Sequence, residues 1–224
     1  MSGFKKPSYI AIEGCIGVGK TTLSEALSKR LNASLFLETF EENPFLVDFY
    51  KDVSAHAFRT QIFFLLSRYR QQQILGQRDL FKQSIVADYF IVKDRIFAEL
   101  TLTGNELALY EQLYQTLCHH IYVPDLVIYL RAPLHIVKER IKQRGRDFEK
   151  NIDNSYLSNL IAAYDHFFTT FSACPVLTIE TEDLNFPERE QDITHVMDIL
   201  TETLSQKKLH HTVTTGEIKQ SKLF

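Results

Sequence analysis

The sequence has little of what a disulfide-bonded, membrane-spanning or nucleic-acid-binding protein needs. Its three cysteines, Cys15, Cys118 and Cys174, are far apart and form no C-x-x-C pair, which favours a reducing compartment. The longest apolar runs, Phe63–Leu66 and Leu126–Leu130, are much shorter than the roughly 20 residues of a membrane helix. Lys and Arg total 25 against 28 Asp and Glu, so the basic excess typical of a nucleic-acid binder is absent. We therefore expect a cytoplasmic protein without membrane or nucleic-acid partners.

The composition is that of an ordinary globular chain. Of the 224 residues, 45% are hydrophobic and 24% are charged, which excludes a disordered or low-complexity protein. The segment Met1–Ser8 is too short and polar for a signal peptide and lacks the Arg-rich pattern of a transit peptide. No second-domain linker is visible. We expect a single domain over residues 1–206 and a polar, mobile tail over residues 207–224.

Short β-rich runs alternate with longer helical ones, which predicts an α/β fold with a five-stranded parallel sheet flanked by helices. The predicted strands are Tyr9–Glu13, Leu35–Glu38, Ile85–Ala87, Leu126–Leu130 and Val176–Ile179. The predicted helices are Thr21–Leu31, Asn43–Tyr50, Ala55–Leu75, Glu106–Ile121, Pro133–Gln143, Ser155–Phe171 and Glu188–Leu204. Tyr110, Tyr114 and Leu117 share one helix face, which belongs either to the core or to a subunit interface.

The segment from Gly14 to Thr21, GCIGVGKT, fits the phosphate-loop pattern G-x-x-x-x-G-K-[ST] at every fixed position. A strand precedes it and a helix follows, as the motif requires. The glycines allow backbone N–H groups to surround phosphate oxygens, and the helix N-terminus favours negative charge. Lys20 would reach the β- and γ-phosphates, and the Thr21 hydroxyl would bind Mg²⁺. The N-K-x-D pattern that specifies guanine is missing, which favours ATP.

Two carboxylates lie at the ends of neighbouring strands, Glu38 after the second and Asp88 after the third. The carboxyl ends of parallel strands face the ligand crevice, so both carboxylates should lie near the phosphate loop. One could hold the metal ion while the other accepts a proton from a hydroxyl group. The alternative is that either side chain simply caps a following helix.

A glutamine and a group of arginines are further candidates. Gln61 and Arg68 lie seven residues apart, about two helical turns, so they share a face and could read the edge of a base. Arg140, Arg144 and Arg146 lie close to Gly145 after a helix, which suggests a lid that clamps transferring phosphates. The alternatives are an exposed helix arginine and a solvated basic helix end.

Together these motifs resemble the deoxynucleoside kinase family, closest to its bacterial deoxyguanosine and deoxyadenosine kinases, over roughly residues 9–186. The resemblance implies a P-loop kinase fold, ATP with Mg²⁺, a deoxynucleoside acceptor, nucleotide salvage and a homodimer. The family's E-P-V segment corresponds here to Glu38, Thr39 and Phe40. The family's Asp/Glu-Arg-Ser motif corresponds to a segment that begins Asp88-Tyr89, and a lid arginine would then supply the missing charge.

The resemblance also implies roles for individual residues. Glu38 is the general base for the 5′-hydroxyl group, Tyr50 and Glu149 bind the sugar 3′-hydroxyl group, and Gln61 and Arg68 read the base. The implied catalytic residues are Glu38, Lys20, Arg140, Arg144 and Arg146. The implied ATP-binding residues are Gly14, Cys15, Ile16, Gly17, Val18, Gly19, Lys20, Thr21 and Thr22. The implied substrate-binding residues are Glu38, Tyr50, Gln61, Arg68, Asp88 and Glu149, and the implied Mg²⁺ ligands are Thr21 and Asp88.

Two other functions compete with this interpretation. A nucleoside monophosphate kinase such as a thymidylate kinase would share the loop, the sheet and the lid. Its acceptor is already an anionic phosphate, which a nearby carboxylate would repel. An ATP-binding regulatory module would leave Glu38, Gln61, Arg68 and Glu149 without a role. Phosphate transfer to a nucleoside, to a nucleotide or to neither separates the three.

Overall fold

A computed structural model describes residues 9–77, 84–119, 121–150, 152–206 and 210–213 of the chain. A parallel sheet forms its centre, with the strand order β2-β3-β1-β4-β5-β6. The strands are β1 (Tyr9–Gly14), β2 (Ser34–Phe36), β3 (Ile85–Ala87), β4 (Leu126–Arg131), β5 (Val176–Glu180) and β6 (His210–Val213). The helices are α1 (Lys20–Leu31), α2 (Leu46–Lys51), α3 (Val53–Gln77), α4 (Lys93–Thr101), α5 (Gly104–Leu117), α6 (Leu134–Arg144), α7 (Asn154–Thr170) and α8 (Glu190–Gln206).

The central strands are buried because they are apolar on both faces. Every residue of β1 and β3 is buried, and β4 is buried up to Leu130, as expected for a parallel sheet covered by helices. All five predicted strands are present and parallel, which confirms the predicted fold class. Among the described residues, no helix is long and apolar enough to cross a membrane.

A sixth strand extends the sheet at one edge. β6 pairs in parallel with β5, with Val176 in register with His210 and Ile179 with Val213. These residues lie inside the segment that we predicted to be a mobile tail, so that prediction is wrong for residues 210–213. The β-branched residues Thr212 and Val213 favour extended backbone, although the surrounding polar composition hides this signal. Residues 207–209 and 214–224 of the predicted tail lie outside the described residues.

Two helical regions differ from the prediction. The predicted helix Asn43–Tyr50 begins only at Leu46, because the Asn43 side chain accepts a hydrogen bond from the backbone N–H of Phe45 at 3.0 Å and so holds a turn. α4 was not predicted at all.

On α5, Tyr110 is buried, and Tyr114 and Leu117 pack against the core, so this face belongs to the core.

The first glycine of the phosphate loop has no room for a side chain. Gly14 has a φ of +143°, and a Cβ atom there would lie 2.3 Å from the carbonyl oxygen of Leu130. Gly104 also has positive φ, but a Cβ atom there would meet nothing within 4 Å. The φ of Gly104 lies in the left-handed helical region, which other residues sometimes adopt, whereas that of Gly14 lies outside it.

We therefore expect Gly14→Ala to destabilise the protein more than Gly104→Ala. The backbone strain at Gly104 should cost about 1 kcal/mol, and the greater strain together with the clash at Gly14 should add about 1–3 kcal/mol. For a chain of this length, the melting temperature should fall by roughly 5–10 °C for Gly14→Ala. Thermal unfolding followed by circular dichroism measures both variants. Equal losses would show that the close approach of Leu130 is relieved by a small shift of the backbone.

Candidate active site

The phosphate loop joins β1 to α1, as the motif predicts. Gly17 and Gly19 have φ values of +80° and +107°, which glycine adopts without strain. The Lys20 ammonium group donates hydrogen bonds to the carbonyl oxygens of Gly14 and Cys15, at 2.8 and 3.0 Å, and so lies across the loop. Burial lowers the pKa of Lys20, and the nearby charge of Lys93 acts in the same direction. An anionic ligand in the loop would relieve both effects.

Asp88 links the phosphate loop to the end of β2. Its Oδ2 atom accepts a hydrogen bond from the Thr21 hydroxyl group at 2.8 Å, and its Oδ1 atom accepts one from the Glu38 backbone N–H at 2.8 Å. Burial raises the pKa of Asp88, although the charge of Lys93 acts against it. Thr21 and Asp88, which the resemblance implies as Mg²⁺ ligands, therefore lie within hydrogen-bonding distance of each other.

The donor set of Thr21 and Asp88 fits Mg²⁺. A hydroxyl and a carboxylate oxygen are hard ligands, and Mg²⁺ is usually bound by one or two carboxylates together with substrate phosphates. Among the described residues, no group of three or more His, Cys, Asp or Glu side chains could hold a metal ion by itself. The site therefore suits an ion that arrives with a nucleotide rather than one held in a protein cage.

The Glu38 carboxylate lies between two cations. Arg68 donates from Nε to Oε1 at 2.8 Å, and Lys93 donates from Nζ to Oε2 at 2.6 Å. The Glu38 side chain keeps 14% of its surface exposed, so it also faces open space. Burial alone would raise the pKa of Glu38, but Arg68 and Lys93 outweigh burial and lower this pKa to about 2. Glu38 is therefore ionised at neutral pH, and its side chain does not cap a helix.

This lowered pKa should appear in the pH dependence of stability. Because the pKa of Glu38 is lower in the folded than in the unfolded protein, the ionised group stabilises the fold above about pH 4.5. The stabilisation, on the order of 3 kcal/mol, should be lost as the pH falls towards 2. Denaturant unfolding of the wild type and of Glu38→Gln between pH 3 and 8 measures it. The difference between them should shrink below pH 4.5, and a constant difference would contradict the assignment.

Arg68 connects Glu38 to a second buried carboxylate. Its guanidinium group also forms an ion pair with Asp94, which is fully buried. Burial raises the pKa of Asp94 to about 6, although the charge of Arg68 acts against it. The prediction that Gln61 and Arg68 share a helix face is correct, since both line one cleft. Arg68 is not an exposed helix arginine, because both carboxylates hold it in place.

The side-chain amide of Gln61 has one hydrogen-bonding atom that no described residue satisfies. Its Nε2 atom lies 3.2 Å from the Thr101 hydroxyl oxygen, while its Oε1 atom is buried without a hydrogen-bond partner among the described residues. The residue is only 1% exposed. A buried amide oxygen without a partner is costly, so it favours a ligand that donates a hydrogen bond.

A third group of side chains closes the same cleft. Arg144 donates from Nε to Glu149 Oε2 at 3.1 Å, and Arg146 lies 3.6 Å from the other carboxylate oxygen. The Tyr50 ring stacks on Phe148, with the centroids 6.2 Å apart. The structure thus brings Tyr50, Glu149, Arg144 and Arg146 together, as the resemblance implies.

Arg140 differs from the other two arginines of the predicted lid. Its guanidinium group donates to the carbonyl oxygen of Val18 at 3.2 Å, to the Thr181 hydroxyl oxygen at 2.9 Å and to the carbonyl oxygen of Leu184 at 2.7 Å. These bonds tie the phosphate loop to the segment after β5. The guanidinium group is therefore held by backbone and hydroxyl oxygens, and the predicted role of Arg140 in a lid stays a prediction.

Two clefts meet at the phosphate loop. The first, the acceptor cleft, contains Glu38, Tyr50, Gln61, Arg68, Asp88, Lys93 and Glu149 together with apolar residues such as Phe64 and Phe97. The second, the donor cleft, runs from the loop along Arg140 and Gln143 to Phe186 and Arg189. Both are lined by Gly17, Lys20, Thr21, Arg144 and Arg146. A group bound in one cleft therefore faces a group bound in the other across Lys20 and the two arginines.

Sequence reasoning missed Glu13. This carboxylate is fully buried in β1 and accepts hydrogen bonds from the backbone N–H groups of Gly14 and Phe90. It also accepts one from the Tyr164 hydroxyl group at 3.3 Å. An acid within the otherwise apolar run Tyr9–Gly14 was the available signal, because a buried carboxylate needs such partners. The contact between Lys93 and Glu38 was also missed, because the two residues lie far apart in the sequence.

A phosphate loop shared by two clefts, one of which holds a fixed carboxylate, defines a phosphotransferase of the P-loop kinase class. The solved structure of deoxyadenosine kinase from M. mycoides with bound dATP agrees with this, with a TM-score of 0.75 and 30% identity over 86% of this chain and 99% of that one. Residues 10–205 match the family described as deoxynucleoside kinase. The chain belongs to the deoxynucleoside kinase family.

Two relatives show how far the similarity extends. Deoxyguanosine kinase of Bacillus subtilis (strain 168) is 38% identical over 201 residues, which span 86% of this chain and 97% of the relative. Deoxyadenosine/deoxycytidine kinase of the same strain is 33% identical over 213 residues, which span 91% and 97%. The predicted family and reaction class are therefore confirmed: this chain is an enzyme that phosphorylates a deoxynucleoside.

Proposed function

We propose that this chain transfers the γ-phosphoryl group of ATP to the 5′-hydroxyl group of a purine deoxynucleoside, for nucleotide salvage. The observation that carries the proposal is the meeting of the two clefts at Lys20, with the Glu38 carboxylate on the acceptor side. The acceptor cleft combines aromatic side chains with the partnerless Oε1 atom of Gln61, which suits a flat base with a hydrogen-bond donor.

In the proposed reaction, the acceptor oxygen forms a bond to the γ-phosphorus while the bond to the β–γ bridging oxygen breaks. ADP leaves, and the hydroxyl proton passes to Glu38. A carboxylate with a pKa of about 2 is a weak base, but a loose transition state asks little of the base. Glu38 therefore acts chiefly by orienting the hydroxyl group, and the proton moves late.

Three cationic side chains, Lys20, Arg144 and Arg146, would stabilise the negative charge of the transferring phosphoryl group. Lys20 would move from the loop carbonyl oxygens to the phosphates, and Arg144 and Arg146 face both clefts. Arg140 would maintain the conformation of the phosphate loop through its hydrogen bond to the carbonyl oxygen of Val18. Thr21 and Asp88 would hold Mg²⁺, which would neutralise phosphate charge when it is bound. Tyr50 and Glu149 line the same cleft, and we assign both to the sugar 3′-hydroxyl group, as the resemblance implies.

The preference for a purine is supported by the relatives, whose names include deoxyguanosine and deoxyadenosine kinase. A nucleoside monophosphate as the acceptor is not favoured, because its phosphate would approach the ionised Glu38 carboxylate. A purely regulatory ATP site would leave the built acceptor cleft without a use.

We also propose that the enzyme is a cytoplasmic homodimer. Leu66 and Ile74 on α3, and Leu109 and Leu113 on α5, are large apolar side chains exposed to solvent, and α3 packs against α5. A second copy of the chain would bury this surface. Sedimentation of the wild type and of Leu109→Glu tests the dimer.

Phosphate transfer from Mg-ATP to the four deoxynucleosides and to their monophosphates tests the function. We expect transfer to a deoxynucleoside, with a purine preferred. Transfer only to monophosphates would overturn the proposal and remove the role of Glu38 as the base. Preference for a pyrimidine would keep the reaction and overturn the assigned base.

A further inference from the structure

Tyr89 occupies the position after Asp88 where the family motif has an arginine, and the proposed reaction does not use it. The residue is only 1% exposed. Its ring stacks against Phe36 in β2, with the centroids 6.2 Å apart and 29° between the planes. Tyr89 therefore lies in the core beneath the end of β2, where a charged guanidinium group would be costly to bury.

One glutamine, Gln71, connects the Tyr89 hydroxyl group to the residues on both sides of Glu38. The hydroxyl group donates to Gln71 Oε1 at 2.6 Å. The Gln71 Nε2 atom donates to the carbonyl oxygen of Leu37 at 3.2 Å and lies 3.4 Å from the Thr39 hydroxyl oxygen. Since a carbonyl oxygen can only accept, the amide must turn its NH₂ group towards Leu37 and its oxygen towards Tyr89. The Leu37 carbonyl group thus fixes the orientation of the amide, and the Tyr89 hydroxyl group holds the other end by donating to the amide oxygen.

The ring of Tyr89 reaches the Glu38 carboxylate by a second route. The Lys93 ammonium group lies 5.3 Å from the centroid of this ring, within the range of a cation–π contact. The same ammonium group donates to Glu38 Oε2 at 2.6 Å. Tyr89 therefore contacts one of the two cations that hold the carboxylate, in addition to its link to the backbone.

We propose that Tyr89 and Gln71 are positioning residues for the phosphoryl transfer, which fix the Glu38 carboxylate by holding the Leu37 carbonyl and the Thr39 hydroxyl group on either side of it and by supporting Lys93. This inference rests on the proposed function, because it assumes that Glu38 orients the acceptor hydroxyl group. Neither residue lines either of the two clefts. Tyr89 thus stabilises the geometry of the acceptor side rather than replacing the phosphate contact of an arginine.

Two conservative variants and their combination test the inference. Tyr89→Phe keeps the ring and removes the hydroxyl group, and Gln71→Met keeps the side-chain volume and removes the amide. Each should lower kcat about tenfold, the lower end of the range for groups that orient a functional side chain. The KM for ATP should stay unchanged, since the phosphate loop is intact. The double variant should be no worse than Gln71→Met alone, because both changes break one chain of hydrogen bonds.

Tyr129→Phe is the matched control. Tyr129 is buried and donates to the Asp165 carboxylate at 2.7 Å, outside both clefts, so this variant also loses one tyrosine hydroxyl hydrogen bond. Its melting temperature should fall at least as far as that of Tyr89→Phe, because a hydrogen bond to a carboxylate is the stronger one, while its kcat should be that of the wild type. An unchanged kcat in both Tyr89→Phe and Gln71→Met would overturn the inference. If one of the two fails to fold, the other still decides.

Repeating the Tyr89→Phe substitution in the Glu38→Gln variant distinguishes this inference from the proposed function. In Glu38→Gln, adding Tyr89→Phe should cause no further loss of kcat, because the group to be positioned is gone. An equal fold-loss in both backgrounds would overturn the inference and leave the role of Glu38 intact. Full activity of Glu38→Gln itself would overturn the proposed role of Glu38, and with it the positioning of that group.

Discussion

Glu38→Gln is expected to lower kcat by about 10²–10⁴-fold, the range found for a positioned acid or base. The amide keeps the size of the carboxylate, but it can neither take the hydroxyl proton nor pair with Arg68 and Lys93. Steady-state phosphate transfer measures kcat, and titration with ATP in the absence of an acceptor measures donor affinity. Donor affinity should be unchanged, because Glu38 lies on the acceptor side of Lys20.

Glu42→Gln provides the control for the loss of a carboxylate. Glu42 lies four residues further along the chain and is exposed to solvent. Its replacement should leave both kcat and donor affinity unchanged. If Glu38→Gln had the activity of Glu42→Gln, the orienting group would have to be sought elsewhere in the acceptor cleft.

Lys20→Met should produce the second large effect, a loss of about 10²–10³-fold in kcat, as when one donor to a developing charge is removed. Methionine preserves the aliphatic stem but not the ammonium group. The present hydrogen bonds to Gly14 and Cys15 would also be lost. Burial lowers the pKa of Lys20, which means that the folded protein disfavours the charged form of this side chain. A neutral methionine should therefore be tolerated, and the melting temperature of Lys20→Met should be close to that of the wild type.

Lys29→Met is the matched variant on the same helix. Lys29 is exposed in the last turn of α1, and the change removes the same charge from the chain. Its kcat should be that of the wild type at low and high ionic strength. A comparable loss in both variants would indicate that the net charge, and not the position of Lys20, controls the rate.

The sequence predicts this fold well where local rules are sufficient. The phosphate loop needs glycine at fixed positions and a strand and helix around it, so the pattern from Gly14 to Thr21 specifies its own geometry. The five predicted strands are equally clear, since each is a short and mostly apolar run that is separated from the next by a longer segment. The positions of Glu38 and Asp88 then follow from the common direction of parallel strands.

The rest depends on contacts between distant residues. Nothing near Arg68 in the sequence indicates that Glu38 and Asp94 hold its guanidinium group. α4 escaped prediction because it begins with Lys93 and Asp94, which are charged but buried as partners of those same groups. Likewise, Arg140 is similar to its neighbouring arginines in sequence, and only the tertiary fold ties it to Val18 and Leu184.

The central position of β1 has a consequence for how the chain folds. Tyr9 is in register with Ile85 and Ile10 with Leu126, so the two partners of β1 follow it 76 and 116 residues further along the chain. Forming these pairs requires closing long loops, which is slow. During synthesis, this apolar segment must therefore be shielded by transient contacts or by chaperones. In refolding, the ability to bind nucleotide should appear late, together with the closure of the sheet around β1.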